Sequence, residues 1–218
     1  MSQTCVVYAI NSSYVYEVYE TLQRLKWTVK AWVMNQPSDP PANLEPVFNV
    51  SDLNPEDFKR FPFIIPLITP GHRRTVELEL LAHGATHFAT VVDPTTVLAQ
   101  TAHISEGVYV NGGGMIGANV VLKRWSHVNR SASIGHDSIL EPYATMGPGS
   151  LLCGSCVVGR GAFIGARAVV NPKVRIGANS IVGAGTVVTR DVPDNTVVVG
   201  MPGRVIRKNI VGYNEVGV

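Results

Sequence analysis

From Val92 onward an aliphatic or Met residue recurs every six positions: Val92, Leu98, Ile104, Val110, Ile116, Leu122, Val128, Ile134, Leu140, Met146, Leu152, Val158, Ile164, Val170, Ile176, Val182 and Val188. Four residues after most of them stands a compact side chain, among them Ala102, Gly114, Ser126, Ala132, Ser138, Ala144, Ser150, Cys156, Ala162, Ala168, Ser180 and Thr186. Period six is neither the two of a half-exposed strand nor the 3.6 of a helix. Each hexad offers one large and one small inward side chain, which suits a short strand followed by a bend. A fixed short period sustained over seventeen hexads predicts a solenoid, here a left-handed parallel β-helix with three hexads per coil. Residues eighteen apart then lie above one another at roughly the 4.8 Å strand spacing.

The first ninety residues lack this beat. Residues 4–10 read as an apolar strand, 14–25 as a helix and 28–34 as a second strand, followed by a Pro-rich loop over 36–46. Residues 61–68 read as a strand, 73–83 as a helix closed by Gly84, and 87–92 as a last strand feeding the hexads. Alternating strands and helices predict a small Rossmann-like parallel sheet. The expected organisation is an α/β domain over residues 1–91, a β-helix over 92–193 and a C-terminal extension over 194–218. Asp191-Val192-Pro193 breaks the repeat, and the unpatterned residues 212–218 are expected to be mobile.

Eighteen basic against sixteen acidic residues leave a net charge of +2, with no long basic run to suggest a nucleic-acid surface. The start, residues 1–10, has no basic n-region and no apolar run reaches membrane-spanning length, so a cytoplasmic protein without membrane insertion is expected. Three cysteines do not make a disulfide framework. Cys153 and Cys156 fall on an outward and an inward hexad position, so their C-x-x-C spacing reads as structural.

Stacking by eighteen turns the sequence into a map. One corner column holds Gly147, Gly165 and Gly183, and beside it stand Pro148, Ala166, Ala184 and Pro202. Such a column can leave a smooth backbone-lined edge for a thin, linear ligand such as a pantetheine arm; equally, glycine can simply satisfy tight corners, as at Gly117, Gly135, Gly159 and Gly177. His136 stands near a corner and points outward, with Ala118 and Gly154 one coil away on either side. An uncrowded imidazole suits general-base work near neutral pH, and Asp137 beside it can raise its basicity. A lone surface histidine is more often inert, so its neighbours have to decide.

The hexads, the stretch from Asn129 through Ile134-Gly135-His136-Asp137, then Gly154, and the ending Gly183-Ala184-Gly185-Thr186 with Val199-Gly200-Met201-Pro202-Gly203-Arg204 resemble the bacterial hexapeptide-repeat sugar acyltransferases. The resemblance is to the branch that holds sialic acid O-acetyltransferases and N-acetyltransferases of nucleotide-linked 4-amino sugars. It implies acetyl-CoA as acyl donor, bound between subunits of a homotrimer, with no metal. It implies His136 as general base with Asp137 assisting, donor contacts at Thr145, Ala166 and Ala184, and direct transfer to a sugar amine or hydroxyl. Where the branch has a second histidine this chain has Thr145. Where the branch has a Gly-rich loop for a nucleotide pyrophosphate, this chain has Ala9-Ile10-Asn11-Ser12-Ser13-Tyr14, in which Asn11, Ser12 or Ser13 can offer acceptor contacts or a plain helix N-cap. An arginine of the branch corresponds to Arg74.

The expected function is therefore acetyl transfer from acetyl-CoA to an amine (or hydroxyl) of a sugar, a nucleotide-linked amino sugar for surface glycan biosynthesis. The alternatives are O-acetylation of sialic acid or another free acceptor, and a non-catalytic sugar-binding trimer. A zinc site built from His103, His127 and His136 fits the eighteen-residue stacking poorly, since their offsets are 24 and 9. Trimerisation is expected to cover outward side chains, including Leu140 to Tyr143 and Leu151.

Overall fold

The computed structural model describes residues 3–218; Met1 and Ser2, at the head of the expected 1–91 domain, lie outside the described residues. Four parallel strands, β1 (Thr4–Tyr8), β2 (Thr28–Met34), β3 (Val47–Asn49) and β4 (Phe63–Ile64), form a sheet in the order β3-β2-β1-β4. The run Cys5-Val6-Val7-Tyr8 is wholly buried because both faces of a parallel sheet are covered. Helix α1 (Val15–Leu25) buries Val15, Val18 and Leu22, a stripe at helical spacing, and ends where Lys26 turns left-handed and its N–H caps the last carbonyls.

Residues 47–60 carry two elements that the periodicity does not announce. One is β3, and the other is the short helix α2 (Pro55–Arg60), started by Asn54, whose side chain accepts from Glu56 N–H at 3.0 Å. The strand expected over 61–68 is confined to Phe63–Ile64, because Pro62 and Pro66 donate no ladder hydrogen bonds. Helix α3 (Pro70–Ala82) begins three residues before the expected start, with Pro70 in its first turn. The strand expected over 87–92 divides between two sheets: Phe88 bridges Phe63 at the edge of the first, and Val91–Val92 pairs with Tyr109–Val110 in the coil.

Seventeen two-residue strands follow at six-residue intervals, from Val91–Val92 to Val187–Val188. They stack in three parallel sheets with partners eighteen apart, as in His127↔Thr145↔Phe163 and Ser133↔Leu151. The hexad aliphatics and their small plugs meet in one core, where Leu122, Ile134, Leu140, Met146 and Leu152 pack with Ala132, Ala144, Cys156 and Ala162. At most corners the third residue after the aliphatic turns left-handed, Asn119, Asp137, Tyr143 and Gly149 among them.

The two parts are bolted together. Asp93 of the first coil accepts from Arg24 at 2.6 Å and from Thr21 at 2.9 Å, both on α1. Burial would raise its pKa, but the bonds from Arg24, Thr95 and Thr21 prevail and hold it at about 2. Tyr14 meets His127 Nε2 at 3.0 Å, and Arg73 of α3 reaches into the coil at Trp125, Tyr143 and Thr145.

Beyond the coil, Thr196–Gly200 joins the sheet beside Ile181–Val182 and turns back as Gly203–Lys208. Residues 212–218 are docked, contrary to the mobility expected of them. The Tyr213 ring stacks on Phe163 with centroids 3.7 Å apart, Asn214 Nδ2 donates to Thr69 Oγ1 at 3.0 Å, and Val218 N–H donates to Asn179 Oδ1 at 3.0 Å. A Cβ on Gly71 would lie 2.5 Å from Val216, so α3 presents a bare backbone where this segment crosses it. These partners lie far away in sequence, beyond the reach of any local pattern.

The exposed apolar surface also differs from expectation. Leu140 points into the core, as a hexad aliphatic must, and Tyr143 is covered by α3, where its hydroxyl donates to Glu77. The stripe left uncovered on one face is Val97, 64% exposed, Met115, 54% exposed, and Leu151, 37% exposed.

Candidate active site

Ile134 turns inward, Gly135 makes the corner, and the left-handed Asp137 sends its carboxylate to the same side as the His136 ring. His136 Nδ1 and Asp137 Oδ2 are 2.7 Å apart, and Asn119 Nδ2 donates to Asp137 Oδ1 at 3.0 Å. These bonds, from His136 first and Asn119 second, hold the Asp137 carboxyl below the usual carboxylate range. An ionised carboxylate on Nδ1 fixes the proton there and leaves Nε2 as the nitrogen with a free lone pair. Nε2 has no hydrogen-bond partner among the described residues. Asn119 stands eighteen residues before Asp137, at the same corner one coil away, and sequence reasoning passed over it.

Gly154 makes this arrangement possible. A Cβ there would lie 2.5 Å from His136 Nε2, so the imidazole occupies the space that a side chain would take. Gly154→Ala is therefore expected to push the ring aside. A fall of about tenfold or more in kcat is expected from a displacement approaching 1 Å. The melting temperature should stay within about 3 °C, because the exposed ring, not the backbone, gives way. Steady-state kinetics and a thermal melt on one preparation check both halves.

The glycine column has a structural cause. A Cβ on Gly147 would lie 2.6 Å from Ile164 O, and one on Gly165 would lie 2.5 Å from Ala184 N. Gly117, Gly135, Gly159 and Gly177 are equally pressed by the next coil's backbone, so corner stacking requires these glycines whatever binds outside. Gly147 and Gly165 are buried and Gly183 is half-buried, against Val199. The smooth outer edge is made by Ala166, half-buried, and Ala184, exposed.

Thr145 belongs to another environment. It is fully buried beneath α3, where its hydroxyl accepts from Arg73 Nη2 at 2.8 Å and donates to Ile68 O at 3.1 Å. On the same face His127 is buried, stacked on Tyr109 with centroids 5.2 Å apart, and burial pushes its pKa well down. Among the described residues no group of three His, Cys, Asp or Glu side chains is placed to hold a metal ion.

At the carboxyl edge of the first sheet a cavity of about 290 Å³ opens between Ala9, Asn11, Ser12, Asn35, Gln36, Leu67, His72, Thr75, Val76 and Glu79. Asn11 and Ser12 line it as expected; Ser13 and Arg74 do not. Asn11 Nδ2 donates to Gln36 O at 2.8 Å and to Ser38 Oγ at 2.7 Å, and Ser12 Oγ accepts from Tyr14 N at 3.3 Å without capping α1. Ala9 is left-handed, with φ 67°, so the first loop takes a glycine-like backbone shape without glycine. Asn35 and Glu79 were not anticipated. Asn35 directly follows β2, where ligand crevices of parallel sheets open, and that position was a usable signal.

The family described as "Bacterial transferase hexapeptide (six repeats)" matches residues 155–190. PerB from Caulobacter crescentus, in complex with CoA and GDP-perosamine, is similar with a TM-score of 0.83 and 30% identity over 93% of this chain and 97% of that one. The acetyltransferase domain of PglB from Neisseria gonorrhoeae, in complex with acetyl coenzyme A, shares the fold at a TM-score of 0.82 and 24% identity, covering 94% of this chain and 100% of its own. WeeI from Acinetobacter baumannii does so at 0.81 and 23%, with the same coverage. No curated protein matches the chain by sequence.

Proposed function

Because this chain belongs to the bacterial hexapeptide-repeat sugar acyltransferases, we propose that it transfers an acetyl group from acetyl-CoA to the amine of a nucleotide-linked amino sugar. The observation that carries the reading is His136, with Asp137 and Asn119 behind Nδ1 and an open Nε2 over Gly154. In support, the Caulobacter crescentus relative was crystallised with CoA and a GDP-linked amino sugar, and variants of perosamine N-acetyltransferase from that organism were solved with the same pair.

His136 Nε2 takes a proton from the acceptor amine as its nitrogen attacks the thioester carbonyl. Asp137 remains ionised and steadies the imidazolium that forms. The negative charge on the carbonyl oxygen is met by backbone N–H groups at the corner, and on collapse the C–S bond breaks and the sulfur takes the proton back from His136. Ala166 and Ala184, with nothing beyond Cβ, leave room for a pantetheine arm along the coil edge. The reading divides the work between the parts: residues 1–91 hold the acceptor and 92–193 carry the base and the donor track. The uncovered stripe Val97, Met115 and Leu151 supports a homotrimer with prisms packed face to face and the donor between them. A cytoplasmic site of action belongs to the same reading; among the described residues no helix is long and apolar enough to cross a membrane.

The test is CoA thiol release from acetyl-CoA with nucleotide-linked 4-amino sugars, free amino sugars and sialic acid offered separately. Turnover is expected with a nucleotide-linked amino sugar. Turnover with sialic acid or free sugars alone would overturn the acceptor assignment, and a monomer on sedimentation would overturn the shared donor site.

A further inference from the structure

The cavity beside Ala9 contains a carboxylate with both oxygens fixed. Tyr8 OH donates to Glu79 Oε1 at 2.6 Å and Asn35 Nδ2 donates to Glu79 Oε2 at 2.9 Å. Each oxygen retains acceptor capacity, because a carboxylate oxygen takes about two donors. Burial, and after it the bond to Glu79, push the Tyr8 phenol above its ordinary value, so it persists as a donor. Leu67, Val76 and Ala9 give the cavity apolar walls, and about 290 Å³ is at the small end of ligand pockets, room for a base and its ribose with the remainder of the ligand outside.

The inference deepens the proposed function and rests on it: given a nucleotide-linked acceptor, we propose that this cavity takes a guanine base and that Glu79 selects it. A carboxylate facing a base edge wants two adjacent donors. Guanine presents them, N1–H and N2–H2 side by side, one for each oxygen of Glu79. Uracil and thymine present a single N–H between two carbonyl oxygens, both repelled by the carboxylate. Adenine and cytosine pair one donor with one acceptor nitrogen. Two charge-assisted hydrogen bonds against one bond and a repulsion favour guanine by about ten- to a hundredfold. The rival use of Glu79 is to hold the ribose hydroxyls, which would give no preference among bases.

The experiment is calorimetric titration of the full chain and of Glu79→Gln with GDP, UDP, dTDP and ADP, with acetyl-CoA as a check that each preparation is folded. The wild type is expected to bind GDP at least about tenfold more tightly than the other three. Glu79→Gln should lose most of that preference while keeping its affinity for acetyl-CoA. Equal affinities in the wild type, or a Glu79→Gln variant that weakens all four nucleotides alike, would overturn the base assignment and leave the nucleotide-linked acceptor standing. Absence of any nucleotide binding by a wild type that binds acetyl-CoA would bring down the acceptor reading and this inference with it. The wild-type ranking decides the matter even if the variant does not fold.

Discussion

Replacing His136 by alanine is expected to lower kcat by a factor of about 10² to 10⁴, the usual contribution of a positioned general base. That corresponds to roughly 2.7–5.5 kcal/mol of barrier. The effect should appear in kcat and not in the affinity for CoA, because the ring stands at the exposed corner between Ala118 and Gly154 while the small residues of the proposed donor edge, Ala166 and Ala184, lie on other coils. Stability should be almost unmoved, since the His136 side chain is 67% exposed and its only side-chain hydrogen bond among the described residues is to Asp137, itself 51% exposed. Steady-state kinetics with the best acceptor, together with a CoA titration and a melt, separate these quantities. Full turnover in His136→Ala would remove His136 from the chemistry, and a parallel loss of CoA binding would make it a donor contact instead.

The second large effect is structural. Arg73 is 2% exposed and makes five hydrogen bonds, all to neutral oxygens: Leu67 and Ile68 carbonyls on its own side, and Trp125 O, Tyr143 O and Thr145 Oγ1 in the coil. Among the described residues no carboxylate pairs with it, and burial pushes its pKa down to about 9, still cationic at neutral pH. Arg73→Ala would leave several buried acceptors without donors and open a cavity between the two parts. A loss of about 3–5 kcal/mol is expected, tempered by water entering the gap. For a chain of this size that is a fall of about 6–20 °C in melting temperature. Arg73→Lys should recover only a fraction, because an ammonium is a point donor and cannot span acceptors that a planar fork reaches together. A melting temperature unchanged in Arg73→Ala would show that the sheet and the coil hold each other without this buried fork, through apolar contact and the bonds of Asp93 and His127.

Legibility varied with the kind of force involved. The coil could be read because inward residues such as Ile134, Leu140 and Met146 must repeat where every strand turns one side chain to a shared axis. His136 could be read because its corner phase follows from that beat. Asn119 was equally available, one coil below Asp137, but resemblance draws attention to residues near the histidine in sequence and not to those stacked on it. The resemblance points to Arg74 for a role at the acceptor, whereas it is Arg73 that turns inward; α3 starts at Pro70, and a step of one residue around a helix changes direction by about 100°. The family pattern implies a donor contact at Thr145, yet the face it occupies is covered by α3, and only the tertiary arrangement determines which face of a prism is covered. Asn35 and Glu79 come from elements 44 residues apart and share no period, so no pattern joins them.

Exact stacking of partners eighteen residues apart also limits how such a chain can change length. A single inserted residue within a strand would swap inward for outward over the remainder of that coil; placed just ahead of Arg175, it would bury that charge where Ile176 now sits. Length can change without penalty only where the chain loops outside the wall, or by whole coils. Removing one coil between Asp137 and Ala184 would keep the hexad phase yet shift the proposed catalytic corner relative to the proposed donor edge by roughly 4.8 Å, more than twice the length of a C–S bond. The wall is in this sense a ruler with one division, and the distance between the proposed base and the proposed donor contacts is counted in its marks.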